Sequence, residues 1–179
     1  MRDNSLKIVL SWLVVFTVRL IPWRIPNVEG IMATLMPASK RFGVPGSFTY
    51  GFFAIAIFDF AVGKVGSWTL LTACTYGVIG VASYYFFKRV DAKALHFAGF
   101  SIVATIFYDA ITGVIAGPVL WGMPLAQAFF GQIPFTLYHL AGNIIFALVL
   151  SPALYRWIIS NESLETSKVL DWLRARTAR

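Results

Sequence analysis

Apolar residues run along this chain in long blocks separated by short clusters of charge, glycine and proline. The blocks are Leu6 to Ile21, Val28 to Ser39, Ser47 to Val62, Trp68 to Phe87, Leu95 to Ala116 and Pro134 to Ile159. They are apolar all round, so run length and punctuation, rather than periodicity, set their limits. A helix that crosses a bilayer takes about 20 mostly apolar residues. The pattern predicts an all-α membrane protein, a six-transmembrane-helix bundle over residues 1–159 followed by a basic tail over 160–179.

Two stretches depart from simple spans. The second block is short, flanked by Pro22-Trp-Arg-Ile-Pro26 and by Lys40-Arg41-Phe-Gly-Val-Pro45. These flanks predict a tilted or incomplete span packed against protein, because irregular backbone at membrane depth must be shielded from lipid. Gly117 to Gln132 holds two prolines and three glycines and reads as a loop with a short helix, with Pro134 in the first turn of the last span. MRDNSLK before the first block resembles the start of a signal peptide. No small-residue cleavage site follows, so the block reads as a retained first helix.

Composition excludes an ordinary soluble domain. The chain of 179 residues is 58% hydrophobic and 13% charged, with a mean hydropathy of +0.73, against about 25% charge in soluble domains. Six spans leave no room for a separate soluble catalytic domain. The net charge of +7 comes from fifteen Lys and Arg against eight Asp and Glu, scattered at segment ends rather than gathered on one face. That is a topology signal, not a nucleic-acid surface. With both termini inside, inner segments hold all of these positives but Arg19, Arg24 and Lys64, which predicts a multi-pass protein of a plasma membrane with cytoplasmic termini. The single cysteine, Cys74, offers neither a disulfide nor a CxxC site and reads as a small buried hydrophobe. After the last span, Leu164, Val169, Leu170, Trp172 and Leu173 alternate with charges. This segment is either an amphipathic helix on the lipid surface or a solvated tail.

The uncommon polar groups favour one half of the membrane. Glu29, Asp59 and Asp109 all fall toward the predicted outer side, where carboxylates are expensive unless they face a cavity or a partner. Glu29 can pair with Arg24 or Arg19 and Asp59 with Lys64, whereas Asp109 is far in sequence from any Lys or Arg. Thr136, His139 and Asn143 share a helical face below Gln132. Trp68, Thr69, Thr72 and Tyr76 repeat those offsets, and Thr105, Tyr108 and Thr112 surround Asp109. Amide, hydroxyl, imidazole and carboxylate groups together suit a polar small molecule. The same groups also serve as bonds between membrane helices, worth about 0.6 kcal/mol each. The candidate substrate-binding residues are Trp68, Thr72, Tyr76, Tyr108, Asp109, Thr112, Gln132, Thr136, His139 and Asn143, with no metal, cofactor or catalytic set. A weak repeat, Asp59-Phe-Ala-Val-Gly63 and Asp109-Ala-Ile-Thr-Gly113 with a Trp after each, suggests a parallel hairpin repeat of spans three and four with five and six.

Two stretches carry a family likeness. They are Gly66-Ser-Trp-Thr-Leu-Leu-Thr-Ala-Cys-Thr-Tyr-Gly-Val-Ile-Gly80, and Tyr108-Asp-Ala-Ile-Thr-Gly113 continued by Gly131-Gln-Ile-Pro-Phe-Thr-Leu-Tyr-His-Leu-Ala-Gly-Asn143. Over residues 20–158 the chain resembles the substrate-binding S component of energy-coupling factor (ECF) vitamin transporters, six-helix proteins of bacteria and archaea. The resemblance implies capture of a vitamin-like molecule from outside, between the loop after the first helix and helices four to six. It also implies a complex with a transmembrane coupling protein and two cytoplasmic ATPases. The first helix lacks the Ala-x-x-x-Ala surface common in that family, which bears on docking of a coupling protein. Two other classes remain open: a ligand-free structural or assembly protein, and an intramembrane hydrolase. For the latter, His139-x-x-x-Asn143 resembles one element of CAAX-type membrane proteases, but their paired glutamates are absent from this sequence.

Overall fold

The computed structural model describes residues 4–21 and 29–177, and among these the chain is helical with no strand. The order is α1 (Ser5–Leu20), α2 (Ile31–Ala61), α3 (Ser67–Phe87), α4 (Ala94–Asp109), a π-helical turn (Ala110–Ile115), α5 (Ala116–Trp121) and α6 (Leu125–Leu154). A second π-helical turn (Tyr155–Ile159), a short 3-10 turn (Glu162–Leu164) and α7 (Thr166–Thr177) follow. Four stretches are long and apolar enough to cross a membrane: Ile31–Ala61, Ser67–Phe87, Ala94–Trp121 and Leu125–Ile159. Helix α1, with 16 residues, is shorter. The expected start at Val28, the Pro22 to Pro26 flank with Trp23 and Arg24, and the terminal Arg2 and Arg179 lie outside the described residues.

Gly43 divides α2. Its backbone angles, φ 71° and ψ −176°, are closed to residues with a Cβ, and they swing the chain between two helical arms without a loop. The first arm is buried on every side, with Ile31, Met32, Ala33, Leu35, Met36 and Ala38 fully covered. An apolar helix with no exposed face belongs at the centre of a bundle, in keeping with a short segment packed against protein. The second arm runs antiparallel to α3. Ser47 and Gly51 meet Tyr76, Gly77 and Gly80, so that the Gly51 Cα lies against the Tyr76 carbonyl and the Gly80 Cα against the Ser47 carbonyl. Small residues at such spacing let two membrane helices touch along their backbones. A bond of 2.7 Å between the Ser39 and Ser83 hydroxyls extends the contact.

The expected loop at Gly117 to Gln132 is mostly helix. Gly122, at φ 64°, ends α5, with the Gly122 and Met123 amides returning to the Pro118 and Gly117 carbonyls. Pro124 then caps α6, which starts nine residues before Pro134 would have begun it. Pro134 therefore lies inside a helix, and Gly131 faces open space without breaking it. Inside a bilayer free backbone groups find no water, and a helix that continues through both residues leaves the fewest of them unpaired.

Lysines close the opposite end of the bundle. Lys7 Nζ, fully buried, donates to the Ile159 carbonyl at 2.9 Å. Lys40 Nζ donates to the Phe87 and Val90 carbonyls at 2.8 and 2.7 Å. Helix C-termini leave carbonyls unpaired and carry negative partial charge, so ammonium groups satisfy both needs. Arg41 then holds Glu165 at 2.8 Å, and the Leu6 amide donates to Thr166 Oγ1 at 3.2 Å, which ties the start of α7 to the N-terminal helix. In the α3–α4 turn, the bond from Lys93 keeps the exposed Asp91 carboxyl below its ordinary pKa. Lys7→Met strands a buried carbonyl, an expected loss of about 1–3 kcal/mol. Earlier melting and faster proteolysis after Ile159 check it, and Lys7→Arg should restore most of the difference.

Candidate functional site

The structure gathers the intramembrane charges around Arg19. Near the end of α1 and only 9% exposed, its side chain places Nε 3.7 Å from Glu29 Oε2 and Nη2 3.8 Å from Asp59 Oδ1. Its guanidinium also lies over the Phe58 ring, 3.9 Å from the centroid. Of the alternatives for Glu29, the described one is Arg19. Asp59 takes Arg19 rather than the expected Lys64, and its Oδ2 accepts from Thr69 Oγ1 at 2.8 Å. Lys64 follows Gly63, at φ 67°, in the exposed turn after α2, whereas Arg19 approaches through the bundle interior.

These charges border a cavity of about 270 Å³ lined by Arg19, Glu29, Asp59, Lys64, Trp68, Thr72 and Tyr108, with Ile55 and Phe58 beneath. Both signs of charge, an indole, a phenol and a hydroxyl thus face one concave space. The Thr72 hydroxyl is bonded to the Trp68 carbonyl of its own helix at 2.8 Å, and Trp68 is about half exposed at the rim. Tyr76 stands behind this wall, fully buried, with its ring 4.7 Å from that of Tyr108.

Three further candidates, with Thr105, form a ladder between α4 and α6. His139 Nδ1 lies 2.8 Å from Asp109 Oδ1. One turn away, Asn143 Nδ2 donates to Thr105 Oγ1 at 2.8 Å. Because Thr105 and Asp109, like His139 and Asn143, are four residues apart, each helix presents one face with two polar rungs. All four are nearly or fully buried. Phe135 and Tyr108 meet the His139 ring edge-on at 5.8 and 5.6 Å. The carboxylate orients the imidazole as in a hydrolase dyad, but packed rings flank it. Tyr108 joins ladder to cavity, with one side of its ring on each.

Gln132 and Thr136 lie farther along α6 toward its start, and Thr112 in the π-helical turn that follows α4. Gln132 packs against Gly113 inside the π-helical turn that begins one residue after Asp109. A cavity of about 370 Å³ is lined there by Thr112, Gly113, Trp121 and Gln132, among others. A separate groove of about 260 Å³ reaches Asp109, Gln132 and Thr136 between apolar chains. The Thr112 hydroxyl bonds to the Tyr108 carbonyl at 2.8 Å. The ten candidates thus divide among a charged cavity, a closed ladder and the groove region above it.

From the sequence Arg19 reads only as an ion-pair partner. Its place before Pro22, on the outer side where positives are few, was the available signal. Among the described residues, no three His, Cys, Asp or Glu come together as a divalent-metal site requires. Comparison of the chain with family models, curated proteins and solved structures finds no match.

Proposed function

We propose that the protein is a substrate-specific membrane subunit that takes a small water-soluble, vitamin-like nutrient from the extracytoplasmic side, in the manner of an ECF S component. The observation that carries this reading is the cavity of about 270 Å³ where Arg19, Glu29, Asp59 and Lys64 face Trp68 and Tyr108. Charges of both signs beside two aromatic faces suit a ring compound carrying ionised groups. The finer topology belongs to the same proposal: the two arms of α2, with α1, α3, the α4–α5 run and α6, form six spans with cytoplasmic termini. In this reading a coupling protein and two ATPases supply the energy for uptake.

Mass spectrometry of small molecules released from the purified protein tests the reading. A stoichiometric organic ligand is expected, retained at least about tenfold less well, a loss of about 1.4 kcal/mol, by the rim double variant Trp68→Ala/Lys64→Met. Both residues are exposed, so melting should stay close to wild type. A protein that arrives empty and binds no vitamin-like compound in a screen leaves the second reading, a structural or assembly protein. That reading is favoured by the ion pairs through which Arg19 already joins Glu29 and Asp59.

A further inference from the structure

The ladder between α4 and α6 has a chemical imbalance that its own bonds do not resolve. Asp109 Oδ2 and Asn143 Oδ1 are both buried, and neither finds a hydrogen-bond partner among the described residues. Each residue is at most 2% exposed. The two atoms belong to neighbouring rungs, and both are acceptors. Their partners are already committed: His139 Nδ1 to Asp109 Oδ1, and Asn143 Nδ2 to Thr105 Oγ1. A buried acceptor left unpaired is costly, and a carboxylate in a membrane interior more so. What the pair lacks is a donor or a cation, not another acceptor.

We propose that Asp109 and Asn143, with the Thr105 hydroxyl oxygen, bind a small monovalent cation between α4 and α6. The donors are hard oxygens, one charged and two neutral, the class that takes alkali-metal rather than transition-metal ions. One carboxylate balances one positive charge, whereas a divalent ion draws on several carboxylates, and no such cluster is present among the described residues. His139 acts from outside the coordination sphere. Its N–H to Oδ1 fixes the carboxylate so that Oδ2 is left for the ion, as outer partners orient metal ligands elsewhere. The π-helical turn starting at Ala110 widens the helix immediately beyond the site, a feature that recurs where helices are adapted to function.

The groups facing the site are His139 from α6, Tyr108 from α4 itself and Tyr76 from α3 behind it. Arg19, Glu29 and Asp59 lie across the cavity beyond Tyr108. The site therefore borders the proposed nutrient cavity through one tyrosine ring. It does not depend on that cavity's ligand, because the imbalance exists in the ladder alone.

Thermal melting of the full chain in detergent, at constant ionic strength in sodium, lithium, potassium or choline chloride, tests the proposal. The expected result is a melting temperature that rises with the concentration of one alkali ion over choline, by roughly 5–10 °C at a hundredfold excess over Kd. The rise should vanish in Asp109→Asn, which keeps the shape and removes the charge. Sodium NMR line broadening of the wild-type protein, reversed by the preferred competing ion, gives a readout that needs no variant. Equal melting in all four salts without line broadening overturns the proposal. A selective rise that persists unchanged in Asp109→Asn overturns it as well. Failure to find a nutrient in the cavity would leave either result intact.

Discussion

Arg19→Leu should lower the melting temperature by roughly ten to fifteen degrees, the largest loss expected from any single charge in the chain. Arg19 serves Glu29 and Asp59 together and packs its guanidinium on Phe58. Removing it leaves two carboxylates in the bundle with one shared counter-charge gone. Stranding one partner of a buried pair costs about 3–5 kcal/mol, and each kcal/mol is worth about 2–4 °C in a domain of this size. The result separates charge balance from simple packing when two further variants are melted. Arg19→Lys keeps the charge but loses the planar fork and much of the stack, so it should fall between wild type and Arg19→Leu. Arg19→Leu with Glu29→Gln and Asp59→Asn removes the stranded charges and should recover most of the loss. A triple variant no more stable than Arg19→Leu would mean that packing on Phe58, not ion pairing, is what Arg19 contributes.

Arg19 also shows where sequence reading stops. Apolar runs do mark helices: the four stretches from Ile31 to Ile159 that can cross a membrane cover five of the six blocks read from the chain, two of them merged in α2, while the first block forms the shorter α1. A run of that composition has few other ways to bury its backbone. What composition cannot encode is which glycine bends and which does not. Gly43 bends because a positive φ joins two buried arms, whereas Gly131 and Pro134 are carried through α6. The same limit applies to the polar residues. Asp109 and His139 are thirty positions apart and become partners only because α4 and α6 pack face to face. Asp59 passes over Lys64, five residues away, for an arginine forty residues away that comes from the first helix. Periodicity places such groups on a face, and only packing decides which face it meets. The inner lysines carry a second meaning for the same reason. Lys7 and Lys40 read as topology signals, yet each is bonded to the carbonyl end of a helix run.

Gly51→Ala and Gly80→Ala should each destabilise the protein by about 3 kcal/mol, near the upper end for overpacking. The obstacle in each case is backbone. A methyl on Gly51 meets the Tyr76 carbonyl group and, at 3.1 Å, the Gly77 amide nitrogen. One on Gly80 meets the Ser47 carbonyl and, at 3.1 Å, a methyl of Leu35 in the buried arm. A side chain can rotate away from an added methyl, but a carbonyl within a helix cannot, so α2 and α3 must separate along their length. Gly99→Ala is the control. Nothing lies within 4 Å of its Cβ position, and replacing an unconstrained helical glycine should stabilise by roughly 0.5–1 kcal/mol. The double variant Gly51→Ala/Gly80→Ala discriminates further. If both methyls force the same separation, the second costs less than the first, and the coupling appears as sub-additive losses in thermal melts. Strict additivity would mean that each contact relaxes locally and that α2 and α3 do not behave as one rigid pair. The Trp68 and Thr72 wall of the charged cavity stands on α3, opposite Asp59 on α2. On the proposed function, a shift of the whole pair should therefore also weaken retention of the proposed ligand, whereas two local adjustments should leave it unchanged.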